Sequence, residues 1–123
     1  MVLIDTSSWV DALRTRGRAD VRQRVDALIQ SGEACWCEAI RLELWNGRGG
    51  EQEQRKLRDF DEVMPVLPIN DAVWELSLKL AQNARTQGLT MPAIDLLIAA
   101  CAFHHGAKIE SADEHFQHLE KWR

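Results

Sequence analysis

Asp95 is the only non-apolar residue in Ala93-Ile94-Asp95-Leu96-Leu97-Ile98-Ala99-Ala100-Cys101-Ala102-Phe103, a segment apolar enough on every side to be a buried helix. An ionised carboxylate left unpaired there costs roughly several kcal/mol, so it must be neutralised, hydrogen-bonded or bound to a cation. Three more acids sit in similar settings: Asp5 directly after Val2-Leu3-Ile4, Glu43 within Arg41-Leu42-Glu43-Leu44-Trp45, and Asp113 shortly after Lys108-Ile109-Glu110. Two carboxylates about 4 Å apart repel by about 4 kcal/mol at an effective dielectric constant of about 20. A hard divalent cation reverses that sign. Four such acids therefore suggest one divalent-metal site, and an oxygen-only donor set selects Mg²⁺ or Mn²⁺ over zinc. Because such ions keep open positions for water and a phosphate, the implied chemistry is phosphodiester hydrolysis.

Each acid also has an ordinary reading. Asp5, before Thr6-Ser7-Ser8, could be a helix cap, and Asp113 could cap the last helix with Ser111 as competitor. Glu43 could pair with Arg41 or Arg48 at the surface. Asp95, near a helix start, could be held ionised by the helix dipole and backbone N–H groups. The joint pattern is what favours the metal. No Gly-rich phosphate loop, G-x-S-x-G turn or recognisable Cys-His pairing offers competing chemistry.

The elements that must position these acids follow from the patterning. Val2-Leu3-Ile4 reads as a strand, followed by a capped helix over Trp9 to Leu13. Val21, Val25, Leu28 and Ile29 recur at helical spacing before Gly32. Ala34-Cys35-Trp36-Cys37 is a second strand, leading into the helix of Glu43, which breaks at Asn46-Gly47. Arg48 to Gln54 reads as a flexible loop before a charged helix ending near Glu62. Val66-Leu67-Pro68-Ile69 is an edge-compatible strand, because Pro68 cannot donate to a ladder. Asn70 caps a helix with Val73, Leu76, Leu80 and Ala84 on one face, closing near Gly88. Thr90 and Pro92 start the helix of Asp95, which ends at Gly106. Ala107 to Glu110 is the last strand, before a terminal helix. This alternation, without a hairpin signal, predicts an α/β layer fold around a parallel sheet. In such sheets ligands bind beyond the carboxyl ends of the strands, where Asp5 and Asp113 fall.

At 123 residues the chain is long enough for one core and too short for two. Its longest apolar run, Leu96 to Phe103, is well short of the about 20 residues a membrane span needs. With no basic n-region before Asp5, no signal peptide is expected, and the expected location is cytoplasmic. Three cysteines fit reduced thiols. Cys35-Trp36-Cys37 has no usual zinc-ligand spacing and reads as buried thiols in a strand. Fifteen Lys and Arg against nineteen Asp and Glu give a net charge of −4, which argues against broad nucleic-acid binding but leaves room for a local basic track. Arg14, Arg16, Arg18, Arg22 and Arg24 form the densest one. Trp9, Trp36, Trp45 and Trp74 all fall on apolar faces and read as core or interface.

At these residues the chain resembles a PIN-domain nuclease, specifically the VapC-type toxins of bacterial toxin-antitoxin modules. Leu3-Ile4-Asp5-Thr6-Ser7-Ser8-Trp9 is similar to that family's opening strand and first catalytic Asp, with Thr6 or Ser7 supporting the metal shell. Arg41 to Gly47 resembles the segment carrying its Glu. Ala93 to Ala100 and Ile109 to Phe116 resemble its two C-terminal motifs. The last motif often reads Thr-x-Asp-x-Asp-Phe, whereas Ser111 and His115 stand here in place of the Thr and the second Asp, leaving four acids rather than five.

The resemblance implies a PIN-like α/β fold, 1–123, with a central parallel sheet of about four short strands flanked by helices. It implies a metal-dependent endoribonuclease using Mg²⁺ or Mn²⁺, a homodimer, and inhibition by a cognate VapB-type antitoxin whose C-terminal segment occupies the active-site groove. Asp5, Glu43, Asp95 and Asp113 are the expected catalytic and metal-binding residues, supported by Thr6, Ser7 and Ser111; Arg14, Arg16 and Arg48 are candidate RNA contacts. Two alternatives remain: a PIN-like RNA-binding or scaffold module that does not cut, and a small-molecule phosphohydrolase. The second lacks the Asp at position 7 that a haloacid-dehalogenase-type mechanism needs.

Overall fold

A computed structural model describes all residues, 1–123. Its sheet has three parallel strands, β1 (Val2–Ile4), β2 (Ala34–Cys35) and β3 (Lys108–Glu110), in the order β2-β1-β3. Leu3 lies opposite Cys35 on one side and Ile109 on the other, and β1, central and wholly apolar, buries Leu3 and Ile4 completely. The expected fourth strand at Val66–Ile69 is reduced to a single parallel bridge, Trp36 to Val66. Pro65 and Pro68 flank it and have no N–H to give, so pairing stops after Leu67 N–H donates to Trp36 O at 2.8 Å.

Seven α-helices surround the sheet: α1 (Thr6–Leu13), α2 (Ala19–Gln30), α3 (Glu38–Trp45), α4 (Glu51–Val63), α5 (Asp71–Thr86), α6 (Ala93–His104) and α7 (His115–Leu119), the last continued by a 3₁₀ turn, Glu120–Trp122. Helix α1 starts three residues before Trp9 because Asp5 caps it, accepting from Ser7 N. Helix α4 begins at Glu51, so the loop expected through Gln54 is shorter; Glu51 and Glu53 sit in the first turn, where the helix dipole favours acids. Asn70 caps α5 through Val73 N at 3.0 Å. Helix α6 ends where Gly106 adopts φ +67, a left-handed turn that delivers the chain to β3.

The core is one cluster of 27 buried residues drawing on nearly every element. Trp9 packs against Trp36 and Phe60 with ring centroids 5.3 and 5.1 Å away, joining α1, the residue that follows β2, and α4. Leu96 through Ala102 are all buried, so α6 runs through the interior with Asp95 at its entrance. Cys35, Cys37 and Cys101 are free and buried, and burial pushes the Cys35 thiol up to about 11. No helix is long and apolar enough to cross a membrane.

Candidate metal centre

Three of the four acids enter from the carboxyl edge of the sheet. Asp5 follows β1, Asp113 follows β3, and α3, which leaves that edge after β2, carries Glu43. Asp95 arrives from the first turn of α6. Asp5, though a helix cap, is more than a cap. Its Oδ2 accepts from Ser7 N at 3.2 Å, Ser7 Oγ at 2.7 Å and Ser111 Oγ at 2.9 Å, and none of these donors bonds to Oδ1. The carboxylate is thus fixed through Oδ2, and Oδ1 takes none of these three hydrogen bonds. Ser111 Oγ also accepts from Asp113 N at 2.9 Å, and Ser7 Oγ accepts from Ala112 N at 3.1 Å, tying the β1 and β3 exits together.

Thr6 Oγ1 donates to Glu43 Oε1 at 2.6 Å, which aims the glutamate inward from α3. Neither Arg41 nor Arg48 pairs with it: Arg41 is taken by Glu38 and Asp61, and Arg48 is in no ion pair. Thr6, Ser7 and Ser111 each donate a hydrogen bond to one of these acids.

His115 is the residue missed by sequence reasoning. It is the first residue of α7, and its Nδ1 lies 2.8 Å from Asp95 Oδ2 and 3.2 Å from Asp113 Oδ2. Its backbone N–H donates to Asp113 Oδ1 at 2.9 Å. Asp95, Asp113 and His115 form a group whose donor atoms all lie within 4.8 Å of one another and could hold a metal ion, a nitrogen beside oxygens, while Asp5 and Glu43 lie outside it. The signal available in sequence was its position two residues after Asp113, which read as a lost acid rather than a gained donor.

Electrostatically the cluster has no Lys or Arg within it. No Lys or Arg pairs with Asp5, Glu43, Asp95 or Asp113. Burial raises the Asp95 carboxyl, with the nearby Asp5 and Asp113 charges adding to the rise and His115 opposing it. Glu43 is likewise raised by burial and by Asp95 and Asp5, against the Thr6 hydrogen bond. His115 is raised, first by its hydrogen bond to Asp95. Carboxylates that repel one another, with His115 as their one basic neighbour and no Lys or Arg among them, fit a divalent cation.

All three shifts are upward in the folded state. Each therefore stabilises the metal-free fold at low pH, and that contribution is lost as pH rises through the raised values. The melting temperature of the metal-free protein should accordingly rise from about pH 8 to about pH 6, the range of histidine titration, and saturating Mn²⁺ should flatten or reverse the trend. Differential scanning calorimetry with and without the ion checks this; a metal-free fold most stable at pH 8 would contradict it.

The basic track divides. Arg18 pairs with Asp20, Arg24 with Glu110 and Asp20, and Arg22 donates to the carbonyls of Arg14, Thr15 and Gly17, so these serve the fold. Arg14 and Arg48 line one hollow beside Glu43, floored by Val10, Leu13, Leu44 and Leu57, and neither is in an ion pair. Arg16 is exposed and lies outside that hollow.

A parallel sheet with acids gathered at its carboxyl edge defines a class that comparison with known proteins makes specific: residues 2–121 match the PIN domain family model, and the chain belongs to the PIN-domain family. It is 34% identical over 119 residues to a VapC ribonuclease of Mycobacterium bovis and to ribonuclease VapC11 of Mycobacterium tuberculosis, covering 94% of this chain and 89% of each relative. The fold is shared with the crystal structure of FitAcB from Neisseria gonorrhoeae, at TM-score 0.78 and 21% identity over 98% of this chain and 94% of that one. It is shared too with VapBC-1 from nontypeable Haemophilus influenzae, at TM-score 0.75 and 22% identity over 98% and 94%.

Proposed function

We propose that this protein is a VapC-type toxin: a Mg²⁺- or Mn²⁺-dependent endoribonuclease, neutralised by a cognate VapB-type antitoxin. One observation carries the reading beyond family membership. Four acids from distant segments converge at or beside one sheet edge, Asp5 and Glu43 held by hydroxyls and Asp95 and Asp113 by His115, with no Lys or Arg paired to any of them. Asp5, Glu43, Asp95 and Asp113 are the residues that would hold the ion. The ion, when bound, supplies a Lewis acid for the phosphodiester and lowers the pKa of an attacking water. Ser7 and Ser111 keep Asp5 in its productive rotamer, Thr6 does the same for Glu43, and Arg14 and Arg48 place the RNA backbone beside them. The VapC ribonuclease relatives support RNA as the substrate.

We take residues 1–123 as a single PIN-like domain, a reading supported by its one continuous apolar cluster. Cytoplasmic residence suits an RNA substrate and three free thiols. Solved structures of VapBC and FitAB assemblies support an antitoxin partner. Exposed Leu42 and Trp45 flank Glu43 on α3 and offer an inhibitory segment apolar footing. Trp74 and Leu78, exposed on α5 beside Ile94, support the homodimer.

The test is cleavage of total bacterial RNA by the purified, antitoxin-free protein. Discrete cuts with Mg²⁺ or Mn²⁺, abolished by EDTA, are expected; a folded, metal-binding protein that cuts nothing would favour the scaffold alternative. Arg14→Ala and Arg48→Ala should each weaken RNA binding across sequences and lower the slope of log affinity against log salt by about 0.7, the value for one phosphate contact on a single strand. An unchanged slope would remove them from the RNA path.

A further inference from the structure

We propose that His115 is itself a ligand of the metal centre, donating Nδ1 beside the carboxylates of Asp95 and Asp113, and that it biases the site toward Mn²⁺ over Mg²⁺. The inference rests on the metal-dependent reading above. Octahedral ions of this kind hold oxygen at about 2.1 Å, which sets adjacent donor atoms about 3.0 Å apart. The separations from Nδ1 to Asp95 Oδ2 and Asp113 Oδ2, 2.8 and 3.2 Å, bracket that edge. The ring is placed by the chain and does not arrive by chance. The His115 backbone N–H is tied to Asp113 Oδ1, and Asp113 N–H to Ser111 Oγ, so the turn that presents one ligand presents the other.

The donor chemistry then separates the ions. Mg²⁺ is bound through oxygen and sheds its waters reluctantly, whereas imidazole nitrogen raises affinity for first-row transition ions. With a carboxylate at this position the site would be oxygen-only. With His115 it offers nitrogen at one apex of the group formed with Asp95 and Asp113.

The competing reading is that the imidazole is a fixed cation standing among the acids and leaves the ion to oxygen donors. Pulsed electron paramagnetic resonance of Mn²⁺ bound to the whole protein separates the two, because a directly ligated nitrogen imprints its modulation on the manganese signal. Nitrogen modulation is expected in the wild type and its loss in His115→Ala. Calorimetric titration with the two ions should show Mn²⁺ affinity falling at least about tenfold in His115→Ala, the low end for disturbing a metal's supporting residues, with a smaller change for Mg²⁺. His115→Asp should move the preference back toward Mg²⁺. Mn²⁺ bound to the wild type without nitrogen modulation would overturn the assignment. If Asp95→Asn abolishes that binding, the carboxylate centre stands and His115 alone is misassigned. If the wild type binds no Mn²⁺, or Asp95→Asn binds it unchanged, the metal centre and the His115 assignment fall together.

Discussion

Asp95→Asn is expected to lower RNA cleavage by at least about 10²–10³-fold, the range seen when one preorganised electrostatic group is removed from a reacting centre, while the protein stays folded. The substitution keeps shape and keeps an oxygen that can accept from His115, so the packing of Leu96 through Ala102 behind it is undisturbed. What it removes is one negative charge from a cluster whose members raise one another. The metal-free variant should therefore melt no lower than the wild type. The gain from metal should vanish: a ligand at about a hundredfold excess over its Kd stabilises by about 2.7 kcal/mol, and without Asp95 most of that shift disappears. Unchanged cleavage in the variant would remove Asp95 from the chemistry. A variant that fails to fold would make the carboxylate structural.

Trp9→Ala is expected to destabilise the fold by about 3–5 kcal/mol, the cost of truncating a fully buried aromatic ring. That is a large share of the total for a domain of this size, roughly 0.05–0.15 kcal/mol per residue. The ring touches both Trp36 and Phe60, so its loss opens the junction where α1 meets β2 and α4. Trp9→Phe should cost much less. It leaves a smaller void and removes an indole Nε1–H that has no partner in the core. Urea unfolding of the two variants gives the comparison; equal losses would show that the indole and not the aromatic contact carries the stabilisation. Helix α1 also carries Thr6 and Ser7, so a loosened Trp9 should reach Asp5 and Glu43, and cleavage should fall with stability.

How much of the site could be read without coordinates depended on the scale of the interaction. Asp5, Thr6 and Ser7 occupy a strand-to-helix junction marked by an apolar triplet followed by capping residues, a signal that is local. Asp95 was conspicuous because a carboxylate heading an apolar run, whose next seven residues are buried, has a desolvation cost that the local sequence exposes. Glu43 was harder to orient. Leu42 and Leu44 flank it identically in sequence, yet Leu42 is 65% exposed and Leu44 8%, and the inward turn of the glutamate comes from Thr6, 37 positions earlier.

The arginines and tryptophans make the same point from the other side. Arg14 and Arg22 look alike in the chain, but Arg22 is consumed by backbone carbonyls while Arg14 meets Arg48 at the hollow beside Glu43. Trp9 and Trp36 are core, Trp45 and Trp74 are surface, and nothing in their immediate neighbours separates the pairs. The fourth strand failed for a reason that was half visible: Pro68 limited it to an edge, and Pro65 as well left it one bridge.

By itself, then, the sequence determined the alternation of strands and helices, the parallel sheet and the four acids at or near its carboxyl edge, because hydrophobic period, capping chemistry and the cost of a buried charge all act within a few residues. Only the tertiary structure decided which side chains face those acids. Asp95 and His115 are twenty positions apart, and the docking of α7 against α6 is what turns a residue that reads as a missing carboxylate into a nitrogen 2.8 Å from one. Contact between distant elements depends on how whole faces pack, and that information is spread over the core rather than written beside the residue it places.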